Sequence, residues 1–193
     1  MAVGILALQG DFSAHAEALR RAGARALVEV RRPEQLEGLA ALVLPGGEST
    51  TMLKFLQAGG FWEKLRAFAA RRPVFATCAG AILLARRVEA PPQASLGLLD
   101  VTVERNAYGR QLESSIREAT VTPAFAAELG PKLEAVLIRA PRFKDLGPSV
   151  EIVAHAGGEP LLLRQGNLLA ASFHPELSPD SPVHRWFLQR ATG

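Results

Sequence analysis

The sequence predicts an α/β fold: a three-layer sandwich with a mostly parallel central sheet flanked by helices, and an antiparallel elaboration in its second half. Three observations predict it. Short apolar runs alternate with longer amphipathic stretches up to about residue 90, the pattern of βα units laid on a parallel sheet. Glycine or proline punctuates these stretches at Gly10, Gly23, Pro45 to Gly47, Gly59, Gly60 and Pro73. From Leu99 onward the apolar period shortens to two, which belongs to strands with one wet face.

Val3 to Leu8 reads as a buried strand. After Gly10 and Asp11, the apolar positions Phe12, Ala16, Leu19 and Ala22 recur at helical spacing until Gly23 stops them. Leu27 to Val30 is a second strand, and Ala41 to Leu44 a third. The helical stretch that follows is interrupted at Gly59 and Gly60 and resumes through Phe61, Leu65 and Phe68. Val74 to Ala76 forms a short strand running into Cys78, and Ala79 to Arg87 continues as a helix. In the second half the strands are Leu99 to Glu104, Ala119 to Thr122, Glu134 to Ile138, Val150 to Ala154, Leu161 to Arg164 and Leu168 to Phe173. Gln165, Gly166 and Asn167 make a hairpin turn, and Pro182 to Arg190 is a closing helix.

The chain has 193 residues, of which 48% are hydrophobic and 21% charged, so it can bury a sizeable core. With domains typically near about 150 residues, one domain over 1–193 is expected, with no room for a second catalytic unit. The net charge of +3, from 22 basic and 19 acidic residues, names no partner. Aromatic residues make up 6%, too few for stacking platforms, so nucleic acid is not expected as a ligand. No apolar run approaches the ~20 residues of a membrane span. Met1 to Leu8 lacks a basic region and meets Asp11 too soon for a signal peptide. The single cysteine excludes an internal disulfide, and four scattered histidines supply no metal-ligand spacing, so no metal is expected; with neither a Gly-x-x-x-x-Gly-Lys-Ser/Thr loop nor Gly-x-Gly-x-x-Gly, no cofactor is expected either. A free thiol suits a reducing cytoplasm.

The cysteine lies in Pro73-Val-Phe-Ala-Thr-Cys-Ala-Gly-Ala-Ile-Leu-Leu-Ala85, a short strand, a small-residue turn and an apolar helix. That is the order of a nucleophile elbow. A thiolate is the reactive form, and a helix N-terminus favours negative charge there. The Ala79 N–H is placed to donate to an oxyanion. By itself a lone cysteine is more commonly a small buried hydrophobe. A base is available in Ser172-Phe-His-Pro-Glu176: residues two apart in extended chain share a side, so Glu176 can orient the His174 imidazole. The third segment, Leu44-Pro-Gly-Gly-Glu-Ser-Thr-Thr51, turns backbone N–H groups toward a ligand, with Gly47 as a second oxyanion donor. Ser49 or Thr50 capping a helix explains that segment equally well.

Together, Pro-Gly-Gly-Glu-Ser-Thr-Thr, Thr-Cys-Ala-Gly and Ser-Phe-His-Pro-Glu resemble the class I glutamine amidotransferases with a Cys-His-Glu triad, on a flavodoxin-like three-layer sheet. Gly4-Ile-Leu-Ala-Leu-Gln-Gly10, Val103-Glu-Arg-Asn-Ala-Tyr-Gly-Arg-Gln111 and Ile138-Arg-Ala-Pro141 are similar, more narrowly, to the glutaminase subunits of pyridoxal 5'-phosphate synthase complexes. The resemblance implies Cys78 as nucleophile, with His174 and Glu176 completing the relay. It implies a glutamine site of Gly47, Glu48, Ser49, Arg105, Ile138 and Arg139, and places Gln9 where the family contacts its synthase partner and adjusts the oxyanion site. The chemistry agrees, since a guanidinium suits the carboxylate of a free amino acid and Glu48 its ammonium. Without the resemblance, Arg105 and Arg139 are equally explained as surface arginines. One departure is visible: Ala76 stands where such elbows often have glycine.

The implied reaction is hydrolysis of L-glutamine to glutamate and ammonia through a cysteine thioester, the ammonia passing to a separate synthase subunit. Two other classes share parts of the pattern. A cysteine hydrolase or chaperone-like protein on a related sheet would have the elbow without Arg105, Arg139 or the His174 and Glu176 pair. A silent regulatory subunit would have no use for all three triad residues. His15, His155 and His184 match no catalytic motif and read as structural or surface residues.

Overall fold

The computed structural model describes residues 2–105, 107, 114–180 and 182–192. Of the stretch from Val103 to Gln111, Asn106 and Tyr108 to Gln111 lie outside the described residues. The first half contains β1 (Ala2–Leu6), α1 (Phe12–Arg21), β2 (Leu27–Val30), β3 (Leu39–Leu44), α2 (Ser49–Ala58), α3 (Phe61–Ala69), β4 (Val74–Thr77), α4 (Ala79–Leu84) and β5 (Ala85–Glu89). Then follow β6 (Leu99–Glu104), β7 (Ser114–Val121), α5 (Ala126–Leu129), β8 (Lys132–Ile138), β9 (Arg142–Lys144), β10 (Glu151–Ala156), β11 (Glu159–Gln165), β12 (Leu168–Ala171) and α6 (Pro182–Thr192).

The main sheet runs β2-β1-β3-β4-β12-β11-β10-β7-β8. From β2 to β12 every pairing is parallel, and from β12 to β8 every pairing is antiparallel, so the second half extends the parallel core as expected. Central strands are buried on both faces, and their alternation divides the interior in two. On one side Leu42 and Leu44 of β3 with Val74 and Ala76 of β4 meet Met52, Leu56, Phe61, Leu65 and Leu83 from α2, α3 and α4. On the other, Ala41 and Val43 with Phe75 meet Ala16 and Leu19 of α1 and Val183, Trp186 and Phe187 of α6. Those are the three layers. The C-terminal ends of β3, β4 and β12 lie side by side and lead into the segments starting at Pro45, Cys78 and Ser172. A parallel sheet thereby brings three distant motifs to one edge.

Local chemistry explains the helix limits. Asp11 caps α1 by accepting from the Ala14 N–H, and Gly23, in left-handed backbone at φ +100°, closes it. Gly60 adopts φ +71° between α2 and α3, which is why the helical stretch breaks there. One expectation fails. The helix after Cys78 ends at Leu84 rather than Arg87, and Ala85–Glu89 is a strand pairing parallel with β6 in a separate sheet, β5-β6-β9. Every residue of α4 is buried, so that apolar run has no polar side to mark its period, and pairing with β6 decides the rest. The strands β5 and β9 and the short α5 are additions to the expected elements.

Candidate active site

Cys78 forms the sharp turn between β4 and α4 at φ +45° and ψ −105°. A non-glycine residue in that region costs about 1–3 kcal/mol and persists only where its surroundings hold it. Here the Cys78 N–H donates to Ala171 O at 2.9 Å and the Ile82 N–H donates to Cys78 O at 3.1 Å, fixing the turn on both sides. Gly80 allows the close packing behind it, since a Cβ there would lie 2.2 Å from Leu44 O. Ala76, the departure from the usual glycine, sits fully buried in β4 and the elbow forms around it.

His174 follows β12, its N–H donating to Val136 O at 2.8 Å. Its Nδ1 is 2.7 Å from Glu176 Oε1, which leaves Nε2 for Cys78. The pair meets, but not through extended chain: Pro175–Leu177 is one turn of 3₁₀ helix, begun by a proline with a preset φ. Burial opposes charge on His174, yet hydrogen bonds to Cys78 and Glu176 and the attraction of both outweigh it and raise its pKa to about 10. The imidazolium is therefore the form at neutral pH, suited to stabilise a thiolate and to donate a proton.

A cleft of about 350 Å³ opens over these groups, lined by Gln9, Gly47, Glu48, Ser49, Cys78, Ile82, Arg105, Ile138, Arg139 and His174. Every substrate-binding residue expected from the sequence faces it. Glu176 lies behind His174, 3% exposed, and Ala79 is fully buried at the start of α4. Arg139 leaves β8 at φ +45°, a second held backbone strain at the cleft. Arg105 is fixed at the rim by Thr50 Oγ1 at 3.0 Å and Glu48 Oε1 at 3.6 Å. Gln9 Oε1 accepts from the Glu48 N–H at 3.0 Å, gripping the backbone beside Gly47.

Three features depart from the sequence reading. The cap of α2 is Glu48, not Ser49 or Thr50: its carboxylate accepts from the Thr50 and Thr51 N–H groups at 3.0 and 2.7 Å. Slight burial opposes its charge, but those bonds prevail and hold its pKa at about 2. Ser49 instead donates to Gln93 Oε1 at 3.1 Å. Gly46, read only as part of a turn, is the contact point of the site. A Cβ there would lie 2.6 Å from His174 Cε1 and 3.4 Å from Cys78 Cβ.

His15 and His184 are not surface residues, both being fully buried. Burial, then the neighbouring His184 and His174, hold the His15 pKa well below its ordinary value. Burial, then Arg21, holds that of His184 at about 3. Both are thus neutral in the folded chain and take up protons near pH 6.5 only on unfolding, so the unfolded state binds more protons and stability falls as pH falls through 6.5. His174 acts in the opposite direction, being already protonated when folded, but it is one ring against two. The thermal midpoint is expected to drop by about 3–7 °C from pH 6.5 to 5.5, followed by circular dichroism. An unchanged midpoint would contradict a neutral buried pair.

Among the described residues no helix is long and apolar enough to cross a membrane, and no group of three or more His, Cys, Asp or Glu is arranged to hold a metal ion.

Residues 5–192 match the SNO glutamine amidotransferase family. The chain is 52% identical to the pyridoxal 5'-phosphate synthase subunit PdxT of Koribacter versatilis, over 98% of this chain and 95% of that one. It is 50% identical to the protein of the same name from Thermus thermophilus, over 98% and 97%. A crystal structure of a glutamine amidotransferase, 47% identical, superposes with a TM-score of 0.89 over 99% of both chains. A glutamine amidotransferase from Thermotoga maritima shares the fold at 17% identity, with a TM-score of 0.63 over 97% of this chain and 80% of that one.

Proposed function

Since the chain belongs to the SNO glutamine amidotransferase family, we propose that it is the glutaminase subunit of a pyridoxal 5'-phosphate synthase, a single domain over 1–193 acting in the cytoplasm. It hydrolyses L-glutamine and supplies the ammonia to a synthase subunit. The observation that carries this reading is the convergence, in one cleft, of a strained cysteine, an imidazole held by a buried carboxylate, and a guanidinium fixed at the rim.

Glutamine lies with its α-carboxylate toward Arg105, its backbone framed by Gly47, Ser49, Ile138 and Arg139, and its side-chain amide over Cys78. Glu48 is largely committed to capping α2, so it faces the substrate ammonium only with the part of its charge that remains exposed. The Cys78 thiolate adds to the amide carbon, and the resulting oxyanion is met by the N–H groups of Ala79 and Gly47. Gln9 sets the backbone from which Gly47 donates, and lies where the synthase docks. His174, as imidazolium, gives its proton to the departing nitrogen, and ammonia leaves. The neutral imidazole then takes a proton from water, whose hydroxide attacks the thioester carbon. Glutamate is released, and the thiolate and imidazolium are restored. Glu176 stays ionised throughout and holds the ring.

The test is ammonia release from glutamine with and without purified synthase. The isolated chain is expected to turn over slowly and to gain activity on mixing, because a free glutaminase would drain glutamine. Equal turnover in both conditions would count against a partner-gated enzyme. No release in either would remove the glutaminase reading.

A further inference from the structure

The triad does not end at Glu176. Its carboxylate lies between two imidazoles, with Oε1 2.7 Å from His174 Nδ1 and Oε2 3.4 Å from His15 Nε2, all of them buried. Oε2 is buried with no hydrogen-bond partner among the described residues, and His15 Nε2 is the ring nitrogen that stands 3.4 Å from it. The same His15 Nε2 lies 3.0 Å from Thr77 Oγ1, on the residue preceding the nucleophile, and His15 Nδ1 lies 3.0 Å from His184 Nε2. One ring from α1 therefore touches both the strand that delivers Cys78 and the turn that delivers Glu176.

The tautomers follow from the contacts. Both rings are neutral, so each carries one N–H. With the His15 proton on Nε2, it donates to the Thr77 hydroxyl beside the carboxylate oxygen, which stands 3.4 Å from the same nitrogen, and His15 Nδ1 accepts from His184 Nε2. The nitrogen left without a partner is then His184 Nδ1, as a bare lone pair. The opposite arrangement would place the Nε2 lone pair 3.4 Å from the Glu176 carboxylate oxygen and bury an unpaired N–H on His184, a costlier pattern in a dry interior.

We propose that His15 is a positioning residue of the glutaminase reaction: its Nε2–H, bonded to Thr77 Oγ1, presents its positive end 3.4 Å from the otherwise unpartnered outer oxygen of Glu176 and steadies that carboxylate, so that the inner oxygen keeps the His174 ring aimed at Cys78. His184 fixes the His15 tautomer, and Thr77 ties the same nitrogen to the elbow. His15 reaches neither substrate nor cleft, so it acts only through Glu176. This inference rests on the glutaminase reading for its kinetic test but not for its chemical one.

The experiment compares His15→Leu, which removes the donor, with His15→Gln, whose amide N–H reaches to about the Nε2 position. Glutaminase kinetics are measured in the complex with the synthase, and Cys78, the only cysteine, is alkylated with iodoacetamide at neutral pH. His15→Leu is expected to lose about tenfold to a hundredfold in kcat, the cost of a misplacement of up to about 1 Å between base and nucleophile, with KM within about twofold. Its alkylation is expected to slow in parallel, because a loosened His174 supports the thiolate less. His15→Gln is expected to regain both. Wild-type kcat and alkylation in a folded His15→Leu protein would overturn the proposal, as would a loss confined to KM. Equal impairment of both variants at matched thermal midpoints would also overturn it, since it would mean packing alone. If the wild-type complex releases no ammonia, the glutaminase reading fails, while the alkylation comparison still decides the role of His15.

Discussion

Replacing Cys78 by alanine is expected to abolish synthesis of pyridoxal 5'-phosphate from glutamine while leaving synthesis from ammonium salts intact. Without the sulfur no thioester forms, and the cleft retains only its ability to bind. Losses on removing a nucleophile reach roughly 10⁴ to 10⁶ in kcat, since the relay residues have nothing left to act upon. The fold should survive, because the substitution removes one atom from a turn held by the backbone bonds of Cys78 to Ala171 and Ile82. Product formation is measured in the reconstituted complex with each nitrogen source. Retained glutaminase activity in Cys78→Ala would show that another group carries the chemistry, and loss of the ammonium-dependent rate would point to a damaged complex instead.

The second large effect is expected from Gly46→Ala, which adds a single methyl group. At 2.6 Å from His174 Cε1 and 3.4 Å from Cys78 Cβ, that methyl cannot be accommodated unless the base or the nucleophile moves. Neither is free to move cheaply. His174 is tied through its backbone to Val136 and through Nδ1 to Glu176, and Cys78 sits in a strained turn. A displacement of about 1 Å between reacting groups can cost roughly 10²-fold, so a fall of about 10² to 10³ in kcat is expected. Binding of glutamine by Arg105 and the outer cleft should change far less. Steady-state kinetics of the complex, with the ammonium-dependent rate as control, check this. A kcat within about threefold of wild type, less than such a displacement costs, would show that the two groups tolerate the separation.

Much of this site is legible in the chain because its parts are local motifs. An elbow is a strand, a small-residue turn and a helix in that order, and Cys78 occupies it with the positive φ such turns require. His174 and Glu176 are near enough in sequence that several backbone paths can join them. The extended path is not the one taken, and the 3₁₀ turn at Pro175 delivers the same contact. The cap of α2 shows where local reading stops. Glu48, Ser49 and Thr50 are each able to cap, and the choice falls to Glu48 because Ser49 is turned inward to Gln93. The strand Ala85–Glu89 escapes local reading for a related reason: it is defined by pairing with β6, which starts only at Leu99, and strand pairing is not written in the run itself.

What the sequence by itself determined is the alternation of strands and helices, the turn residues that end them, and the three motifs at strand ends, because periodicity and backbone preference act over a few residues. Only the tertiary structure decided which distant side chains share the space behind and between those motifs. The close approach at Gly46 exists because β3, β4 and β12 end side by side. The contact of His15 with His184 joins residues 169 positions apart, and no local pattern marks it. Its cause is burial: α1 and α6 pack on the same side of the sheet, and polar groups shut into that layer have only one another to satisfy them.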